Sequence, residues 1–253
     1  MKIITALITP FNDKKKIDYF KFGKLIEKQI LQGASGIVVG GSTGERHLLS
    51  EYEENRLYQF VTCNYGDKID VYLGVGEPAS NIAVKKLKKY NSLNFKGYLI
   101  NVPFYILPPQ EKIIDYFKTL AKNTEKEIIV YDIEKRNGVL LELHTIKELI
   151  KIPNIIAIKE STKSFKRLKE LYEAKIPLLI GDDKWYLWGL TTNIDGIISV
   201  MSNQELLLMK EPYKDINRYH KVLKEISKYV NPIGIKLYMN KQGENVGKCR
   251  EPL

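Results

Sequence analysis

The sequence predicts a (β/α)₈ barrel. About eight short apolar, β-branched runs recur along 253 residues, and helix-length segments separate consecutive runs. Strands that read as buried on both faces and alternate with helices indicate a parallel sheet. The alternative, a doubly wound sheet, would carry a dinucleotide fingerprint; Gly40-Gly41-Ser42-Thr43-Gly44 is not G-x-G-x-x-G.

The runs are Ile3 to Thr9, Gly36 to Gly40, Ile69 to Val75, Gly97 to Val102, Glu127 to Tyr131, Asn154 to Lys159, Pro177 to Gly181 and Asp195 to Val200. Each is bounded by turn residues such as Pro10, Gly40, Pro103 and Pro153. Helical segments are expected at Tyr19 to Gln32, Glu51 to Thr62, Ala79 to Tyr90, Gln110 to Asn123, Leu143 to Lys151, Lys163 to Ala174 and Lys184 to Thr191. After Val200 the alternation ends. Ile216 to Val230 reads as a helix closed by Asn231-Pro232, followed by a short tail. The expected organisation is a barrel over residues 1–200 and a short, truncated C-terminal helical extension over 201–253 packed on it.

The net charge of +10 would suit a nucleic-acid binder. The lysines, however, are spread through Lys14–Lys16, Lys85–Lys89 and Lys163–Lys169, interleaved with acidic residues, and no nucleic-acid motif accompanies them. A solvated basic surface is expected, with no nucleic-acid partner. No apolar stretch reaches transmembrane length, so no membrane association is expected either. The charged-then-apolar N-terminus is too short in its apolar part for a signal peptide and reads as the first strand. Two cysteines, Cys63 and Cys249, make no disulfide framework and point to a cytoplasmic setting.

In a barrel of this type the chemistry lies where strands end. The sixth run ends in Lys159, an amine at the mouth of a buried strand. Such an amine either snorkels to solvent or, desolvated, becomes a neutral nucleophile for carbonyls. The other strand ends supply partners for the second role. Tyr131 can give and take a proton. Thr43 can relay between hydroxyls, and the Gly41-Ser42-Thr43 amides can bind a carboxylate. Arg136 offers a bidentate fork for a second carboxylate. Gly181 and Ile198 end the seventh and eighth runs. No metal site is expected.

These residues resemble the pyruvate-dependent class I aldolases typified by dihydrodipicolinate synthase and N-acetylneuraminate lyase. The resemblance runs through Ile4 to Phe11, Gly41-Ser42-Thr43-Gly44-Glu45, Pro103-Phe104-Tyr105, Tyr131, Ile158-Lys159-Glu160, Gly181-Asp182-Asp183, Gly196 to Val200, Asn231-Pro232-Ile233 and Arg250-Glu251-Pro252-Leu253. It implies that Lys159 forms a covalent imine with pyruvate, with no cofactor. It implies Tyr131 as general acid/base, Ser42 and Thr43 as holders of the pyruvate carboxylate, and a backbone carbonyl of Ile198 lining the site. Thr43 would relay to Tyr105, which in the family reaches a neighbouring subunit's site, so a homodimer or homotetramer is expected.

Arg136 matches the arginine with which dihydrodipicolinate synthases hold aspartate semialdehyde. The expected reaction is therefore condensation of pyruvate with L-aspartate 4-semialdehyde. The alternatives are an N-acetylneuraminate lyase or 2-keto-3-deoxy sugar acid aldolase, favoured by the Gly40-Gly41-Ser42-Thr43 spelling, and a non-catalytic or nucleic-acid-associated family member. The loop Asp132 to Gly138 departs from both enzyme patterns: Asp132 and Glu134 stand where Asn and Pro are usual.

Many bacterial synthases of this family are inhibited by lysine through an asparagine and a glutamate at a subunit interface. Counting from Gly76, those positions hold Pro78 and Ile82, and Phe104 lacks a tyrosine's hydroxyl. Neither Pro78 nor Ile82 can pair with the effector's charges. Initial rates are expected to stay unchanged across millimolar L-lysine; saturable, partial inhibition would overturn this residue matching.

Overall fold

A computed structural model describes residues 1–253. Eight strands close a barrel in sequential order: β1 (Lys2–Ala6), β2 (Gly36–Val39), β3 (Val71–Gly74), β4 (Gly97–Asn101), β5 (Glu127–Asp132), β6 (Ile155–Glu160), β7 (Leu178–Ile180) and β8 (Gly196–Ser199). Their β-branched side chains are almost all buried, as strands covered on both faces require. The chain divides into two compact units, Met1 with Tyr72–Ile198, and Lys2–Val71 with Ser199–Leu253.

In the first unit β3 to β8 pair in parallel, neighbour to neighbour. Helices α3 (Ser80–Tyr90), α4 (Gln110–Ala121), α6 (Leu143–Leu149), α7 (Phe165–Glu173) and α8 (Tyr186–Leu190) alternate with these strands, and the short α5 (Glu134–Asn137) follows β5. Ser164 caps α7 by accepting the Arg167 N–H. The β5–β6 ladder shifts register between Ile128 and Ile129: Ile128 faces Ile155 but Ile129 faces Ala157, leaving Ile156 as an extra residue on β6. The segment expected as one helix from Lys184 breaks into a 3₁₀ turn, Asp183–Trp185, and α8.

In the second unit β1 pairs with β2. Helix α1 (Tyr19–Leu31) starts at Asp18, whose carboxylate accepts the Lys21 N–H. Helix α2 (Glu51–Tyr65) opens with a Ser50/Glu53 capping box. Beyond β8 lie α9 (Ser202–Lys210), α10 (Ile216–Ile226) and α11 (Ile233–Lys241). Only α10 was legible as a helix. The face that α9 buries includes polar Ser202, Asn203 and Glu205. Asn203 accepts the Ile8 N–H at 3.0 Å and donates to the Ala6 carbonyl at 2.8 Å, so this helix is tied to β1 by hydrogen bonds rather than by an apolar stripe. Helix α11 buries Lys236, which breaks its apolar pattern in the same way. No helix is long and apolar enough to cross a membrane.

Candidate active site

The first unit brings Lys159 and Tyr131 together. They are register partners on β6 and β5, so their side chains leave the same face of the sheet. Lys159 is only 4 % exposed, and its Nζ lies 3.9 Å from the centroid of the Tyr131 ring. Burial pushes the Lys159 ammonium down from its ordinary range. Tyr131 opposes that shift through charge and hydrogen bonding, the positive charge of Arg136 adds to it, and Asp183 opposes it. The shift makes the neutral amine, the form that attacks a carbonyl, more accessible than it is for a solvated lysine. Ser161 Oγ donates to the Tyr131 hydroxyl at 3.4 Å. Gly181 clears the lysine's path: a Cβ there would lie 2.0 Å from Ser161 Oγ and 3.0 Å from Lys159 Cε.

Arg136 sits on α5, exposed, at the start of the loop that returns to α6. Ile198 is fully buried on β8. Tyr105 is 89 % exposed, beside exposed Ile106 and Leu107, and it adopts φ +73°. It therefore does not join Tyr131 and Lys159 through packing. Ser161 and Asp183 belong to this group without having been given a role from the sequence. Ser161 directly follows the Lys159-Glu160 pair, and Asp183 lies in the Gly181-Asp182-Asp183 motif, so both were within view.

The second unit holds the Ser42–Thr43 loop. The Gly44 and Glu45 amides donate back to Gly41 and Ser42 carbonyls at 3.0 and 3.2 Å, which leaves the Ser42 and Thr43 amides without a partner in the chain. Unpaired successive amides form an anion-binding concavity. Thr9 Oγ1 donates to the Gly44 carbonyl at 2.7 Å, and Asn231 Nδ2 donates to Thr43 Oγ1 at 2.9 Å. Gly40 holds φ +68°, and a Cβ there would strike the Tyr58 ring, so this tight entry requires glycine.

Glu45, at φ +57°, ends the loop and anchors it. Its carboxylate lies 2.5 Å from Lys236 Nζ and accepts the Arg250 N–H at 2.8 Å. Lys236 and Arg250 both stand over the Phe11 ring, at 4.2 and 4.5 Å. The Arg250 guanidinium grips both oxygens of Glu53 and holds that carboxyl at about 2, chiefly through the hydrogen bonds.

A desolvated amine at the end of a barrel strand is the chemistry of carbonyl capture, and it sets the molecule among lyases of the class I aldolase type. The chain belongs to the dihydrodipicolinate synthetase family, whose model matches residues 1–253. It is 33 % identical over 270 residues to a 4-hydroxy-tetrahydrodipicolinate synthase of Heliobacterium modesticaldum, covering 100 % of this chain and 89 % of that protein. The fold matches the 4-hydroxy-tetrahydrodipicolinate synthase of Methylacidiphilum fumariolicum SolV with a TM-score of 0.89 at 29 % identity, covering 100 % of this chain and 89 % of that one. The chloride-inhibited dihydrodipicolinate synthase of Acinetobacter baumannii, solved with pyruvate, is equally similar at TM-score 0.89 and 29 % identity, covering 100 % and 92 %.

Gly181→Ala is expected to displace the Lys159 stem and slow borohydride trapping of pyruvate by roughly tenfold to a hundredfold. Mass spectrometry of the Lys159 peptide over time measures it; an unchanged trapping rate would show that the stem has room to spare.

Proposed function

We propose that the chain condenses pyruvate with L-aspartate 4-semialdehyde, the reaction of a 4-hydroxy-tetrahydrodipicolinate synthase. The observation that carries this reading is the pairing of Lys159 with Tyr131 in a chain that matches such synthases along its whole length. The neutral Lys159 amine attacks the pyruvate carbonyl carbon. The C–N bond forms, the carbonyl C–O bond breaks as protons from the amine and from an acid carry the oxygen off as water, and a protonated imine results. That imine acidifies the adjacent methyl, whose proton passes to a base; the enamine left behind attacks the aldehyde carbon. Tyr131 would give and take these protons, a role supported by its register with Lys159 and by Ser161 donating to its oxygen.

Ser42 and Thr43 would hold the pyruvate carboxylate with their unpaired amides, and Arg136 would take the acceptor's carboxylate in a bidentate grip. Gly181 gives the imine room, and the Ile198 carbonyl would line the site. The imine is the only covalent group this chemistry needs. The exposed Tyr105, with Ile106 and Leu107, supports a homodimer or homotetramer in which this loop is covered by a second copy, whose site Tyr105 enters.

Borohydride reduction with pyruvate is expected to add a pyruvate-derived mass at Lys159, and Lys159→Arg to abolish it, because guanidinium stays protonated. Trapping at another lysine would sink the assignment. Arg136→Ala is expected to raise the KM for aspartate semialdehyde by roughly tenfold or more while leaving imine formation nearly unchanged. Equal turnover of uncharged aldehydes by the parent enzyme would favour the sugar-acid aldolase alternative.

A further inference from the structure

The register that sets Tyr131 beside Lys159 also sets Asp132 beside Glu160. Alternation along a strand turns these two carboxyls to the opposite face, the one that α7 covers with Arg167. Both are buried, at 0 % and 1 % exposure. Three of their four oxygens, Asp132 Oδ1 and both oxygens of Glu160, receive no hydrogen bond from any donor in the chain. The charges facing them do not balance. Arg167 approaches Glu160 Oε2 at 3.5 Å through Nε and Asp132 Oδ2 at 4.0 Å through Nη2, and its Nη1 is spent on Glu170 at 3.0 Å. Glu134 adds a further negative charge from α5. One guanidinium thus serves three carboxyls. Two buried carboxylates side by side would be strongly unfavourable, whereas a carboxylic acid donating to a carboxylate removes one charge and supplies the missing donor.

The cluster also holds the loop that carries Arg136. Asp132 Oδ2 accepts the Leu141 N–H at 3.1 Å, and Arg167 Nη2 donates to the Leu141 carbonyl. Both backbone groups of the residue that ends the loop are therefore pinned by this cluster. The Asp132 carbonyl itself accepts the Ser161 N–H at 3.0 Å, tying the same point to the strand end beyond Lys159.

We propose that Asp132 and Glu160 share one proton and, with Arg167, form a buried clamp that positions the Arg136 loop, so that losing the proton frees the loop and weakens acceptor binding. The last step rests on the reading of Arg136 as the acceptor's carboxylate site. Asp132, Glu160 and Arg167 are positioning residues: they touch neither substrate. Burial raises both carboxyls, Glu160 furthest, to about 8; its neighbour Asp132 adds to that rise and Arg167 opposes it. The sign follows. The folded chain keeps a proton that the unfolded chain releases in the ordinary carboxylate range, so stability falls as pH rises from there toward the alkaline value.

The test uses the full-length enzyme beside Asp132→Asn and Glu160→Gln. Each amide donates to the remaining carboxylate without a shared proton, and in Asp132→Asn the side-chain carbonyl oxygen still accepts from Leu141. Infrared spectra of the parent near pH 7 are expected to show the carbonyl band of a buried carboxylic acid, fading toward pH 9 and missing from both variants. Exchange of the 133–141 amides, corrected for intrinsic rates, should rise over the same interval in the parent but not in Asp132→Asn. The KM for aspartate semialdehyde should rise roughly fivefold to tenfold between about pH 7 and pH 9 in the parent and less than twofold in Asp132→Asn. No acid band in the parent, or a band that Asp132→Asn retains, overturns the shared proton. A lost band with unchanged loop exchange overturns the clamp. Loop release without a KM change condemns only the role given to Arg136, since the first two readouts need no substrate.

Discussion

The pairing of β5 with β6 is the constraint on which the rest depends. Ile128 faces Ile155, and continuing that spacing would set Tyr131 against Ile158. The extra residue Ile156 advances the ladder by one, so Tyr131 meets Lys159 and Asp132 meets Glu160. Because side chains alternate between faces, a one-residue slip would exchange the contents of the two faces of one strand relative to the other. The bulge therefore sorts four ionisable groups: an amine and a phenol on one face, two acids on the other.

The two faces solve the cost of buried charge differently. On the Lys159 face, burial pushes the amine toward losing its proton, and Tyr131 opposes that shift. On the acid face, the carboxyls are pushed toward protonation while Arg167 is divided among several partners. In the second unit, Lys236 pairs with Glu45 at 2.5 Å, and Arg250 and Phe11 complete their surroundings. That pairing matters because a buried ion deprived of its partner is far costlier than the intact pair is stabilising. Glu45 thus fixes the end of the Ser42–Thr43 turn, and the Arg250 segment holds the turn in place from outside the barrel strands.

Much of the fold was legible in the sequence: buried strands show as apolar runs, and turns show as Gly and Pro. All eight strands appear where the runs lie, shifted by up to three residues at their ends. Lys159, Tyr131, Arg136 and the Ser42–Thr43 turn were legible for another reason, since polar groups at strand ends contrast with the apolar residues before them. Helices α9 and α11 were not, because hydrogen bonds from Asn203 and an ion pair at Lys236 secure their buried sides, and such contacts leave no apolar periodicity.

The sequence alone determined the barrel, its order and the residue types at the strand ends, because those follow from periodicity and turn chemistry local to each segment. It also marked Asp132 as unusual. Only the tertiary structure decided what that acid does. The shift at Ile156, the match of Asp132 with Glu160 and the reach of Arg167 from α7 to Leu141 join residues far apart in the chain. Whether a carboxyl is a solvated charge or a buried acid depends on what packs against it, and no local pattern carries that information.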